Sequence, residues 1–406
     1  MTTKSVKVKL VALGLFLATA ATVALVPERA ATTVATNPVK PPVKPVALTN
    51  ERAKIEVVFV LDTTGSMGGL IQAAKEKIWS IATTMSQAQP APEIRVGLVA
   101  YRDRGDSYVT RVVDLSSDLD SMYATLMDFQ ADGGGDGPES VNQALYDAVH
   151  RVSWSGDQKA YKVVFLVGDA PPHMDYQDDV KYPATLAMAR ERGIVVNAIQ
   201  CGTLDETAGQ WREIAQLAGG EYFQVDQTGS AVAIATPFDS RLAELSAALD
   251  ATRMYYGSKE EKEAQALKMA AAAKLDAGSS VESRARRAEF NASESGRLNL
   301  LGKNELVDDV ASGRVELANI APEAMPESLR PLAPAAQQAA IGEMAAKRSA
   351  LLSEVGALSK ERADYLRQKV AESGGARDSL DVKMYEAVRE QAKDKGLRYE
   401  ADAPAY

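Results

Sequence analysis

The sequence predicts an α/β protein: a doubly wound, mostly parallel six-stranded sheet with helices on both faces, followed by an α-helical region. Three observations predict it. Between residues 54 and 256, short apolar runs rich in β-branched residues alternate with amphipathic helical stretches, the pattern of strands that cross over to parallel neighbours. Most of those runs are apolar throughout rather than alternating, so they are buried on both faces. Beyond Tyr256 the composition turns to Ala, Glu, Lys, Arg and Leu, which are helix formers.

The chain begins with Lys4, Lys7 and Lys9 and no acid, ahead of the apolar run Leu10 to Val26. A positive segment before an apolar one reads as an export signal, either cleaved or retained as a membrane anchor, over residues 1–26. Residues 27–53, with Pro41-Pro42-Val43-Lys44-Pro45, cannot bury enough apolar surface to fold and read as an extended linker. The expected location is therefore exported: cell envelope, periplasm or outside the cell, with inner-membrane attachment through the N-terminal segment if it is uncleaved.

Residues 54–256 hold the sheet. Ile55 to Leu61 is a buried strand, and Leu70 to Met85 a helix. Glu93 to Tyr101 is a second strand, and the more alternating Tyr108 to Leu115 suits the sheet edge. A helix over Asp118 to Phe129 precedes a Gly-rich acidic loop, and Pro138 fits the first turn of the helix that ends at His150. Strands follow at Tyr161 to Gly168, Ile194 to Gln200 and Glu221 to Val225. Helices lie between and after them, at Asp179 to Glu191, Thr207 to Leu217 and Pro237 to Tyr255. In residues 257–406, Ser258-Lys259-Glu260-Glu261 is a capping box for a helix to Asp276. Helices over Val281 to Ser295, Asn304 to Ala311, Ala335 to Ser373 and Leu380 to Lys395 follow. In the longest of these Ile341, Met344, Leu351, Val355, Leu358 and Tyr365 form a stripe, which serves equally a coiled-coil seam for self-association or a hairpin packed on its neighbours.

A net charge of −9 excludes a general nucleic-acid binder, which needs clustered Lys and Arg. The single cysteine, Cys201, forms no intramolecular disulfide and reads as a small buried hydrophobe. Two histidines, His150 and His173, are too few and too far apart in sequence for a zinc site.

The chemistry concentrates at Asp62-Thr63-Thr64-Gly65-Ser66, where a buried strand gives way to a helix. In open α/β sheets ligands bind at the carboxyl ends of the strands. Asp62, Thr64 and Ser66 offer one carboxylate and two hydroxyls without sulfur or imidazole, a donor set for Mg²⁺ or Mn²⁺. The plain alternative is that these residues cap the following helix.

Asp-x-Thr-x-Ser closely resembles the metal-ion-dependent adhesion site (MIDAS) of von Willebrand factor type A domains, where the pattern is Asp-x-Ser-x-Ser. Gly133-Gly134-Gly135-Asp136-Gly137-Pro138-Glu139 and the strand Val163 to Asp169 stand where that family places its second and third loops. Together with Tyr101-Arg102-Asp103-Arg104-Gly105-Asp106 and Gly168-Asp169-Ala170-Pro171-Pro172-His173 they resemble one bacterial, exported branch with a helical C-terminal region. The resemblance implies the Rossmann-like fold of the family, with Asp62, Thr64, Ser66 and Asp169 about the metal. The family's second-loop threonine has no counterpart, so Asp136 is taken as its substitute, with Glu139 and Ser140 as alternatives. It further implies a divalent cation, Mg²⁺ first and Mn²⁺ or Ca²⁺ as alternatives. The expected partner is a protein, whose Asp or Glu side chain completes the coordination. On this reading the chain is not an enzyme.

Two other classes compete with it. One is a phosphoryl-transfer enzyme using Asp62 as nucleophile with Mg²⁺; position 64 is Thr where phosphatases of that type carry a second Asp, and Lys159 and Lys162 lie at the wrong end of their strand. The other is a scaffold whose metal only stabilises the fold. Asp132, Asp175, Asp178 and Asp179 read as a solvated rim, and Arg104-Gly105-Asp106 as part of its loop pattern rather than a cell-attachment tripeptide.

Overall fold

The computed structural model describes residues 52–135, 137–226, 234–372 and 380–399. The export segment at 1–26, and the linker as far as residue 51, lie outside the described residues. Among those described, no helix is long and apolar enough to cross a membrane.

The chain runs β1 (Lys54–Asp62), α1 (Gly68–Ser86), β2 (Glu93–Tyr101), β3 (Thr110–Ser116), α2 (Leu119–Met127), α3 (Val141–His150), β4 (Tyr161–Gly168), α4 (Tyr182–Glu191), β5 (Ile194–Cys201), α5 (Asp205–Leu217), β6 (Tyr222–Val225) and α6 (Asp239–Asp250). The helical region then supplies α7 (Lys259–Gly278), α8 (Val281–Ala292), α9 (Arg297–Leu301), α10 (Leu306–Ala311), α11 (Pro334–Glu372) and α12 (Leu380–Lys393). The six strands lie in the order β3-β2-β1-β4-β5-β6. All pairs are parallel except β2 with β3, which places the alternating strand antiparallel at an edge.

The strand order explains where the site falls. The chain leaves β1 for β2 on one side and returns to β4 on the other, so the loops after β1 and β4 diverge above adjacent strands and leave a crevice at their carboxyl ends. The register sets Leu61 beside Val167, which brings Asp62 level with Gly168. Along β1 the side chains alternate between two cores. Val57, Phe59 and Leu61 join the core covered by α1, α2 and parts of the tail, whereas Val58 and Val60 join the core under α3, α4 and α5.

The helical region docks on the sheet domain, and the described residues between 52 and 399 form one compact unit. Phe290 of α8 packs against Trp79 of α1, and Met384 and Val388 of α12 belong to the same core as Phe59. Gln391 of α12 accepts a hydrogen bond from the Tyr161 hydroxyl (2.7 Å) and donates to Asn197 Oδ1 (2.9 Å). Tyr161 opens β4 and Asp169 follows its end, so this contact lies at the opposite end of the sheet from the carboxyl-edge loops.

The long stripe of α11 is covered within the chain. Val355, Leu351, Leu352 and Leu358 pack with α6, α8 and α9, and Ile341 with Leu306, Met325 and Leu329. Arg348 and Arg362, which interrupt the stripe, are buried in ion pairs with Glu305 (2.8 Å) and Asp239 (2.7 Å). Arg287 of α8 is a third buried anchor. It grips both oxygens of Asp120 (2.7 and 2.6 Å) and both of Asp250 (3.0 and 2.9 Å). Burial would raise the Asp120 carboxyl, but the Arg287 guanidinium outweighs it and holds the acid well below the usual range.

Several boundaries differ from the sequence expectation. The capping box at Ser258 and Glu261 forms as read. The helix expected from Asp179 starts at Tyr182, with Pro183 in its first turn. That expected over Pro237–Tyr255 covers only Asp239–Asp250, and α9 was not anticipated. Pro138 stays outside α3, which begins at Val141, because Glu139 is drawn into a parallel bridge with Pro172.

Candidate metal centre

Loop 1 leaves β1 at Asp62. The Asp62 side chain is fully buried, and its Oδ1 accepts from the Thr64 amide (2.9 Å) and the Thr64 hydroxyl (2.7 Å). Because Thr64 donates its proton to Asp62, its oxygen lone pairs are left for another electrophile. The Thr64 and Ser66 hydroxyls lie 3.4 Å apart. Neither Thr64, ahead of the short 3₁₀ turn Gly65–Met67, nor Met67, ahead of α1, makes a side-chain cap.

Loop 2 is tied to both neighbours. The Gly65 amide donates to Gly133 O (3.1 Å), the Glu139 amide to Pro171 O (2.9 Å), and the His173 amide to Glu139 O (3.1 Å). Gly134 has φ +81°, and a side chain there would meet Glu139 Oε1 on one side and Thr64 on the other. Glu139 and Thr64 therefore flank the same glycine. Loop 3 brings Asp169, half-buried, directly after Gly168. A Cβ on Gly168 would collide with the Tyr101 hydroxyl and lie 3.1 Å from Asp62 Oδ2, so the close approach of β4 to Asp62 depends on the missing side chain.

Of the residues singled out from sequence, Asp62, Thr64 and Ser66 share loop 1, and Asp169 stands on the adjacent strand end. Asp136 lies outside the described residues. Glu139 is buried at 4% exposure with Oε2 lacking a hydrogen-bond partner. Ser140 is buried too, but its hydroxyl donates to Asp103 Oδ1 (2.8 Å) and so is engaged elsewhere. Among the described residues Glu139 is the second-loop acid that faces Thr64 across Gly134.

Burial pushes the Asp62 carboxyl up from 3.8 to about 7, with the charge of Asp169 adding to it. Burial, then Asp62, Asp103, Asp106 and Asp169, push Glu139 from 4.5 to about 9. Glu139 Oε2 is buried without a hydrogen-bond partner, and Asp62 Oδ2 has only the nearby Tyr101 hydroxyl, in poor geometry for a hydrogen bond. Buried carboxylate oxygens are normally satisfied, and this pair with neighbouring hydroxyls fits a small divalent cation, which takes oxygen ligands.

Sequence reasoning quoted the Tyr101–Asp106 segment but missed what Asp103 and Asp106 do. Asp106 Oδ2 accepts from the amides of Gly134 (3.0 Å) and Asp103 (3.1 Å), fixing loop 2. Asp103 accepts from Ser140 and from the Tyr176 hydroxyl (3.2 and 3.0 Å), and His173 Nε2 lies 3.3 Å from its Oδ2. Two acids closely spaced in a loop after a buried strand were the available signal. Around the rim, Asp132 pairs with Arg102, and Asp178 and Asp179 with Arg104 (2.9 and 2.5 Å). Arg104 also lies over the Tyr176 ring.

Residues 56–236 match the family model of the von Willebrand factor A domain. An ariadne-like RING finger protein of Acanthamoeba polyphaga mimivirus is 28% identical over 30% of this chain and 12% of that protein. Von Willebrand factor A domain-containing protein 7 of Mus musculus is 32% identical over 42% of this chain and 19% of its own length. The chain thus spans at most about a fifth of these curated relatives. Among solved structures, proximal thread matrix protein 1 from the mussel byssus, with a zinc-occupied MIDAS motif, aligns at 20% identity and TM-score 0.33, over 43% of this chain and 42% of that one. With its family match over residues 56–236 and its six-stranded sheet in the order 3-2-1-4-5-6, this chain carries a von Willebrand factor A domain.

Proposed function

We propose that this chain is an exported, metal-dependent interaction module. A divalent cation, Mg²⁺ first, sits at the carboxyl edge of the sheet and receives an Asp or Glu side chain of a protein partner. Thr64 and Ser66 would offer it neutral oxygens, Asp169 and Glu139 carboxylates, and Asp62 would orient the Thr64 hydroxyl and present Oδ2 to the ion or to its water. When bound, the cation supplies an electrophile with an open coordination position and cancels the repulsion among the buried acids.

The observation that carries this reading is the pair of buried carboxylates, Asp62 and Glu139, each with an oxygen that makes no well-formed hydrogen bond, beside the Thr64 and Ser66 hydroxyls. The rim supports it as well, because Arg102 and Arg104 engage the surrounding acids and lessen their repulsion of an acidic partner. A charged Glu139 ligand in place of a threonine leaves the cation less excess charge, so the metal is held more tightly and a partner carboxylate more weakly. Lys162 gives no help to a phosphoryl-transfer reading: it stands opposite Glu56 at the start of β4, and its ammonium donates to Arg192 O.

The test is binding of a blocked peptide with one glutamate to the full chain. Binding in Mg²⁺ that a chelator abolishes and Ser66→Ala weakens supports the module; equal binding with and without metal rejects it.

A further inference from the structure

Beside the metal loop lies a second polar site. A cleft of about 360 Å³, whose lining includes Arg102, Ser107, Tyr108, Arg111, Asp132 and Asp128, the last paired with Lys274 (2.6 Å), opens on the edge-strand side of loop 1. It is bonded directly to that loop. Thr63, between Asp62 and Thr64, shares a 2.7 Å hydrogen bond between its hydroxyl and that of Tyr108, and the Asp132 amide donates to Thr63 O (3.1 Å).

Two guanidinium groups stand over the same Tyr108 ring, Arg102 with Cζ 4.6 Å from its centroid and Arg111 at 4.8 Å. They differ in what they have left to give. Arg102 is buried and donates to Ser107, Asp132 and Gln130 O, with only its buried Nε unpartnered. Arg111 is exposed on β3, opposite Ala100 and so at the same end of the sheet as Asp62. Among the described residues no acid and no hydrogen-bond acceptor pairs with it; its contact is the Tyr108 ring. A guanidinium steadied on an aromatic face, with its donor fork unused, is suited to a carboxylate.

We propose that Arg111 and this cleft bind a second carboxylate of the same partner, so that the ligand is a segment with two acids rather than one. The inference rests on the reading that a first acid reaches the cation. Tyr108 bridges the loop and the guanidinium, its hydroxyl on the Thr63 hydroxyl (2.7 Å) and its ring under Arg111 (4.8 Å), so the two acids lie within a few residues of extended chain, at about 3.3 Å each. The second contact also answers a weakness of the first, because the acid-rich metal site holds a single carboxylate poorly and no acid among the described residues pairs with Arg111.

The experiment titrates three blocked peptides into the full chain in Mg²⁺: one with glutamates at two positions three apart in a Gly-Ser background, and two in which either glutamate is Gln. An exposed charge pair is modest, so the two-acid peptide should bind wild type about fivefold tighter than either one-acid peptide. Added salt should shrink that advantage. In Arg111→Gln the two-acid and one-acid peptides should bind alike, while Arg111→Lys keeps part of the difference. An advantage that survives in Arg111→Gln overturns the proposal. If the one-acid peptides bind without regard to metal while the two-acid advantage still needs Arg111, the cleft stands and the metal-acceptor reading falls. If no peptide binds, both fall.

Discussion

Replacing Asp62 with Asn should stabilise the protein without metal, and Mg²⁺ should narrow that advantage by stabilising wild type alone. In the metal-free fold burial raises the carboxyl from 3.8 to about 7. At about 1.4 kcal/mol for each tenfold change in proton affinity, ionising Asp62 in the folded chain costs ~4 kcal/mol. The folded state holds that proton more tightly than the unfolded chain does, so the cost is absent below about pH 4, grows as pH rises, and is complete above about pH 7. Asn keeps the oxygen that accepts from the Thr64 amide and hydroxyl and carries no charge. In chelator at about pH 8, Asp62→Asn should therefore be the more stable protein by up to ~4 kcal/mol, and the gap should close towards pH 4. With Mg²⁺ at about 100 times its Kd, wild type gains ~2.7 kcal/mol by mass action and the variant gains nothing. Urea unfolding across pH, with and without chelator, reads all of this. A variant less stable than wild type in chelator at pH 8, or one that keeps the Mg²⁺ gain, would refute the reasoning.

Three further outcomes are expected. Gly168→Ala should cost about 1–3 kcal/mol by overpacking and lower Mg²⁺ affinity, because the new methyl displaces the Tyr101 hydroxyl and Asp62 together; paired thermal melts and metal titrations measure both. Glu139→Gln should weaken Mg²⁺ binding, whereas Ser140→Ala, which loses only a hydrogen bond to Asp103, should cost about 1 kcal/mol in stability and leave the affinity near wild type. Asp120→Asn should destabilise the chain by about 3–5 kcal/mol, since Arg287 loses a buried carboxylate, and Mg²⁺ affinity should be spared because that pair joins the tail to α2 away from the loops.

The parts of the fold that were legible in the sequence are those whose burial is written locally. β1 and β4 are apolar over residues 57–61 and 163–167 because helices cover the sheet on both faces, and each run leads to an acid, Asp62 and Asp169, at the carboxyl edge. Loop 1 could be read because its donors are two residues apart. Glu139 could not be placed, because its position depends on a bridge to Pro172 that joins loops from different strands. Asp103 and Asp106 were hidden for the same reason: their partners Ser140, Tyr176 and Gly134 lie 28 to 73 residues away. The α11 stripe shows a different limit. Spacing reports that Ile341 and Val355 need cover but not whose. The cover here is α6 and α8 to α10 of the same chain, and Arg348 and Arg362, which weaken a coiled-coil seam, are matched by Glu305 and Asp239, 43 and 123 residues distant.

The central claim is that the carboxyl edge of this sheet binds a divalent cation through Asp62, Ser66 and their neighbours. Calorimetric titration of Mg²⁺ and Mn²⁺ into the full chain tests it most directly, because the helical tail is packed into the same unit and a sheet fragment would expose its core. The account predicts one saturable site that Asp62→Ala and Ser66→Ala both lose while remaining folded. Heat that is absent in wild type, or that persists unchanged in both variants, would contradict it.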